Sequence, residues 1–176
     1  MTIKLDNIEE KRKARRKNSA EDFTPLKLVN EILDRLSLES NNSVWEESKT
    51  FVDPASGSGN FLIEVLKRKL NKGHNPLKAI QTIYGADLML DNCQECRLRL
   101  LKVLIEYVKK NNLPKPNSIK VIQALYSNIK WVDIKKYPNG SLDYNFEFED
   151  KMSEESAKKV IDKIKKEKLL DKVKIE

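Results

Sequence analysis

An α/β fold, a parallel sheet layered between helices, is what this sequence predicts, and three stretches predict it. Phe51-Val52-Asp53-Pro54-Ala55-Ser56-Gly57-Ser58-Gly59-Asn60-Phe61-Leu62 runs from two apolar residues and an acid, through small residues, into a helical pattern. Thr82-Ile83-Tyr84-Gly85-Ala86-Asp87 again ends an apolar run on an acid and leads into a long helical stretch. Ile119 to Leu125 is a third apolar run, rich in branched side chains. Strands near 50–53, 82–86 and 119–125, separated by helical segments, are the alternation that builds a parallel sheet.

Residues 1–20 carry Lys11-Arg12-Lys13-Ala14-Arg15-Arg16-Lys17. Such a block is either a solvated tail or an arm that contacts phosphates without reading sequence. In Phe23-Thr24-Pro25-Leu26, Thr24 suits an N-cap and Pro25 a first helical position, and Leu26, Val29, Ile32, Leu33 and Leu36 then form one apolar stripe. Ser37 to Lys49 reads as a connecting loop. The glycine stretch follows. Phe61, Leu62, Val65, Leu66 and Leu70 recur at helical spacing, so a strand ends near Asp53 and a helix begins near Asn60. Gly57 and Gly59 permit a turn that a β-carbon forbids, and the helix start directs free N–H groups at whatever the turn holds. A Gly-x-Gly turn on its own is equally a tight connection that binds nothing.

Asn75-Pro76 opens a short helix, and Leu88 to Asn111 a long one that Leu113-Pro114 stops. Pro138-Asn139-Gly140-Ser141 is a hairpin signal. After it, Leu142, Tyr144, Phe146 and Phe148 alternate with polar residues as in a half-buried strand. Residues 151–176 form a lysine-rich amphipathic helix capped by Ser153, which docks either on the domain or on a partner. The domain proper is thus residues 21–150, between a basic tail and a charged helix.

Asp53-Pro54-Ala55-Ser56-Gly57-Ser58-Gly59-Asn60-Phe61-Leu62 resembles the cofactor loop of the DNA methyltransferases that methylate exocyclic amines, the adenine-specific branch in particular. Phe23-Thr24-Pro25, upstream of the loop, is similar to that family's first cofactor motif. The resemblance implies a Rossmann-like S-adenosylmethionine-dependent methyltransferase fold with a truncated three-layer sheet, and S-adenosylmethionine as cofactor. It implies cofactor contacts at Phe23, Thr24, Pro25, Asp53, Pro54, Ala55, Gly57, Gly59, Asn60, Phe61, Asp87 and Leu88, with Asp87 accepting from the ribose hydroxyls. Gln123 falls where the family places an acceptor for the cofactor's adenine amine.

The resemblance covers roughly residues 21–126 and stops before the family's catalytic signature, a polar residue, two prolines and an aromatic ring. No Pro-Pro occurs in the sequence, so the catalytic residues are unknown. The substrate half and any target-recognition domain are expected to be missing. By resemblance this is a site-specific DNA (adenine) methyltransferase of the restriction-modification kind, with the isolated chain expected inactive. Its activity then needs a partner chain or an unrecognised loop. The alternatives are a non-catalytic cofactor-binding protein and an interaction module.

With 34 basic and 27 acidic residues the net charge is +7, which favours polyanionic partners, DNA first, through the basic surface and the Lys11–Lys17 arm. A homo-oligomer or partner chain is expected to cover the sheet edge. Mean hydropathy is −0.61 and no apolar run is long enough for a membrane span, so cytoplasmic placement is expected. Cys93, Cys96 and the single His74 do not make a metal set of about four ligands. The two cysteines read as reduced thiols and His74 as a solvated loop residue.

Overall fold

The structure is a computed structural model that describes residues 24–132 and 152–175. Helix α1, Leu26–Glu39, starts one residue later than expected. Its N-cap is Pro25, not Thr24, and no side chain caps it. The Pro25 carbonyl accepts from Val29 N at 3.0 Å, and proline's missing N–H costs nothing at a helix start. Val29 and Leu33 are the buried residues of α1. A short 3₁₀ turn, Ser43–Trp45, follows. The Trp45 ring stacks on Phe51 with centroids 5.1 Å apart. Beneath them the fully buried Lys69 gives its ammonium to the Lys49 carbonyl at 2.7 Å. Together these contacts fix where strand β1, Phe51–Asp53, enters the sheet.

Helix α2, Asn60–Asn71, leads to α3, Pro76–Gln81, whose first amides are capped by Asn75. Strand β2, Ile83–Asp87, and the long helix α4, Leu90–Lys110, come next. Helix α5 is Ser118–Asn128 and strand β3 is Ile129–Trp131. The sheet runs β1-β2-β3 and both pairings are parallel. Asp53 lies opposite Gly85, and Asp87 opposite Trp131. Parallel strands bring their carboxyl ends to one edge of the sheet, the edge that binds ligands in open α/β sheets.

The third strand corrects the sequence expectation. Residues 119–125 are helical, not extended, with Val121, Ile122, Ala124 and Leu125 buried. The side chain of Asn117 caps this helix by accepting from Lys120 N at 3.1 Å. A three-residue strand cannot display an alternating pattern, so the branched side chains of the preceding helix imitated one.

Helix α2 packs on α1, on α4 and on β1 and β2, while α5 packs on α3 and on α6, Glu154–Lys166. Leu62, Leu66, Leu70, Ile83, Leu100, Leu104, Leu125 and Ile129 are almost wholly buried where these elements meet. Ser153 caps α6, as expected, by accepting from Ser156 N at 3.2 Å. A second 3₁₀ turn, Leu169–Lys172, lies against α4, and Leu169 and Val173 enter the core. This mixed α/β arrangement around a parallel three-stranded sheet is compatible with a methyltransferase-like fold. Phe23, the Lys11–Lys17 arm, the Pro138–Ser141 turn and the Leu142–Phe148 strand lie outside the described residues.

Candidate functional site

The glycine stretch is laid across the ends of β1 and β2 by its own backbone. Asp53 turns the chain by accepting from Ala55 N at 3.1 Å. Ser56 then gives both its N–H, at 2.9 Å, and its hydroxyl, at 3.2 Å, to the Ala86 carbonyl. So close an approach needs glycine on the strand below. A β-carbon at Gly85 would stand 2.7 Å from Leu62 Cδ1 and 3.1 Å from Ser56 Cβ. Gly57, at φ +52°, donates to Asp87 Oδ2 at 2.9 Å. Gly59, at φ +90°, begins α2 and accepts from Ile63 N at 2.8 Å. A β-carbon there would stand 2.5 Å from Cys96 Sγ. No side chain caps α2, so its first-turn N–H groups and the positive end of its dipole face the loop.

Asp87 closes the other side. Its Oδ1 accepts from Met89 N at 2.8 Å and from Asn92 Nδ2 at 3.1 Å, in addition to the Gly57 bond on Oδ2. Burial raises the pKa of Asp53 above its ordinary value, and the nearby Asp87 charge raises it further. Two carboxylates therefore share one sheet edge, an environment that favours a cationic ligand group.

The structure brings most of the expected residues to this edge. Asp53, Pro54, Ala55, Gly57, Gly59, Asn60 and Phe61 form the turn and the start of α2. The Asn60 amide donates to the Thr24 carbonyl at 3.1 Å, which joins the Thr24-Pro25 corner to the loop. Asp87 and the exposed Leu88 complete the set. Gln123 is not brought here. It sits in the middle of α5, where its amide donates to the Met152 carbonyl at 2.8 Å. Its assignment followed from the misplaced third strand and falls with it.

Two residues of the edge carried no signal in the sequence. Trp131 ends β3 with 60% of its surface exposed, and its indole N–H donates to the Leu88 carbonyl at 2.9 Å. Arg99 is buried and donates to Ser58 and Asn60 from α4. Next in the chain after Val132 comes Asp133, which lies outside the described residues.

The cysteines are free and buried beside the loop. Burial pushes the Cys93 thiol up to about 11 and Cys96 higher still, so neither is a ready nucleophile. Among the described residues no group of three or more His, Cys, Asp or Glu side chains is placed to hold a metal. His74 departs from the solvated state expected of it. It is half-buried with Nδ1 unpaired, and burial lowers its pKa. An apolar cleft of about 730 Å³ lies elsewhere, between α4, α5 and α6, lined by Leu104, Val108, Ile122 and Ile164. None of the loop residues lines it. Backbone N–H groups and carboxylates converge at the sheet edge and not at that cleft.

The family model described as N-6 DNA methylase matches residues 8–165. No curated protein and no solved structure matches the chain. Among the described residues no helix is long and apolar enough to cross a membrane.

Proposed function

The chain belongs to the N-6 DNA methylase family, and from that premise we propose that it binds S-adenosylmethionine in a Rossmann-like site at the carboxyl edge of its sheet. The observation that carries the proposal is the 2.9 Å bond from Gly57 N to Asp87 Oδ2. It joins the glycine loop to the acid after the second strand, the two parts of the sequence that resemble the family's cofactor motifs. The adenosine lies over residues 53–61, and the ribose hydroxyls meet Asp87. The carboxylates of Asp53 and Asp87 favour the sulfonium and ammonium charges of the cofactor. Leu88 and the exposed Trp131 offer the purine an apolar and aromatic surface.

A carboxylate has about four acceptor positions, and three at Asp87 are taken. One ribose hydroxyl can be met without disturbance. Meeting the second requires Gly57 N to turn toward the ligand. Cofactor binding and loop geometry are therefore linked through this one side chain.

DNA is the substrate that the family implies. Yet no Pro-Pro occurs in residues 1–176, so these residues transfer no methyl group by themselves. The amine-activating set then comes from another polypeptide; a loop of different sequence within the chain is the alternative that labelling of DNA by the purified chain would reveal. The absent motif also favours a second proposal, a cofactor-binding module without chemistry. Calorimetry with S-adenosylmethionine tests the first step. Asp87→Ala should lower affinity at least about tenfold, since lost hydrogen bonds to a charged group are worth more than about 1.4 kcal/mol. No heat at millimolar cofactor would overturn the assignment. Labelling of DNA by the purified chain above a Gly57 and Gly59 double variant would overturn the expected inactivity. Labelling only after a second polypeptide is added would separate a split enzyme from a silent module.

A further inference from the structure

Arg99 ties the loop to a segment far along the chain. From α4 its Nη1 donates to the Ser58 carbonyl at 2.9 Å, to Ser58 Oγ at 3.1 Å and to Asn60 Oδ1 at 2.8 Å. Its Nε donates to the Lys174 carbonyl at 3.0 Å. An arginine can only donate, so it fixes the Asn60 amide with Oδ1 toward itself. Nδ2 of Asn60 is thereby left to donate to the Thr24 carbonyl at 3.1 Å. One guanidinium thus connects residues 169–175, the glycine loop and the Thr24-Pro25 corner. Three residues on, Lys102 Nζ donates to the Val173 carbonyl at 2.8 Å. Lys102 therefore holds the same segment.

We propose that Arg99 is a positioning residue for the cofactor loop, and that it makes the loop's geometry depend on the docking of residues 169–175 against α4. The rigid fork of an arginine spans both partners at once, where a lysine ammonium is a single point. Whatever strips the segment from α4 loosens Ser58 and Asn60. By reciprocity, a ligand that fixes the loop holds the segment down. The coupling itself exists in the free protein, and only its effect on affinity rests on the cofactor proposal above.

Hydrogen exchange read by mass spectrometry, on the full chain without cofactor, tests the coupling in Lys102→Met and Arg99→Lys. Lys102→Met should speed exchange in 169–175 and also in the amides of 56–60, by at least about fivefold, with α5 unchanged. Arg99→Lys should do the same while keeping the charge. Affinity for S-adenosylmethionine should then fall at least about fivefold in Lys102→Met, although Lys102 is no part of the loop. Faster exchange in 169–175 with an unchanged loop, in either variant, overturns the proposal. So does a uniform rise that includes α5, which would mean general destabilisation. If the segment stays docked in both variants, Arg99 is not what couples it, and the proposal fails. If the wild type binds no cofactor yet the loop loosens as described, the cofactor assignment falls and the coupling stands. If the wild type binds and Lys102→Met moves neither loop nor affinity, the coupling falls alone.

Discussion

Gly59 and Asp53 show how strongly single positions are constrained at this edge. Gly59 combines φ +90° with a β-carbon position 2.5 Å from Cys96 Sγ. Gly59→Ala therefore carries two costs, a backbone strain of about 1–2 kcal/mol and overpacking of about 1–3 kcal/mol. In a Cys96→Ala background the clash with Sγ is gone and a 3.3 Å approach to the remaining β-carbon is left, so the second cost should shrink while the first persists. Urea unfolding of the four proteins of the cycle measures the difference, which is the coupling energy. Equal costs in both backgrounds would show that Cys96 is not what the bare glycine makes room for. Asp53 carries a different constraint. Its folded pKa is raised, first by burial and then by Asp87, so the fold holds this proton more tightly than the unfolded chain does. Its stabilising contribution is complete below the ordinary value of 3.8 and is lost as pH rises through the raised value. Asp53→Asn keeps an acceptor for Ala55 N–H and removes the buried charge. The variant should be more stable than wild type at neutral pH, with the advantage vanishing as pH falls toward 3.8. Its affinity for the proposed cofactor should drop, a trade of function for stability. Thermal melts across that pH range check the sign.

At the scale of elements, legibility followed how local each signal was. The expected strands near 50–53 and 82–86 are found at Phe51–Asp53 and Ile83–Asp87, because each ends on an acid beside a turn or helix start. The start of α2 was readable because small residues and two glycines admit few other conformations. Helix α5 was misread because Ile119, Val121 and Ile122 suggest a strand, while its start rests on Asn117, a single residue. That cap is the decisive local signal. Asn117→Ala should destabilise the protein by about 1 kcal/mol, measured by urea unfolding, and an unchanged midpoint would mean that the cap is dispensable. Arg99 had no local signal at all, since its partners Asn60, Ser58 and Lys174 lie 39, 41 and 75 residues away. Trp131 stayed hidden for a related reason. Its importance comes from the sheet pairing that sets it opposite Asp87.

For the whole molecule, the balance of charge bears on the proposed contact with DNA. The chain carries 34 basic against 27 acidic side chains, while the sheet edge holds the acids Asp53 and Asp87 with the buried Arg99 beside them. The densest source of positive charge in the sequence is Lys11, Arg12, Lys13, Arg15, Arg16 and Lys17, which the described residues do not include. If this block is a phosphate-binding arm, the chain should bind duplex DNA without sequence preference and with a steep dependence on salt. Each phosphate contact contributes about −0.9 to the slope of log affinity against log salt. Replacing all six basic residues by glutamine should then flatten the slope by up to about 5. The same change should leave cofactor affinity unmoved, because a solvated arm adds nothing to a site built from strand ends. Fluorescence anisotropy over a salt series measures the slope directly. A slope that survives the six replacements would place the DNA contacts on the lysine-rich helix α6 or another folded surface, and would reduce the block to a solvated tail.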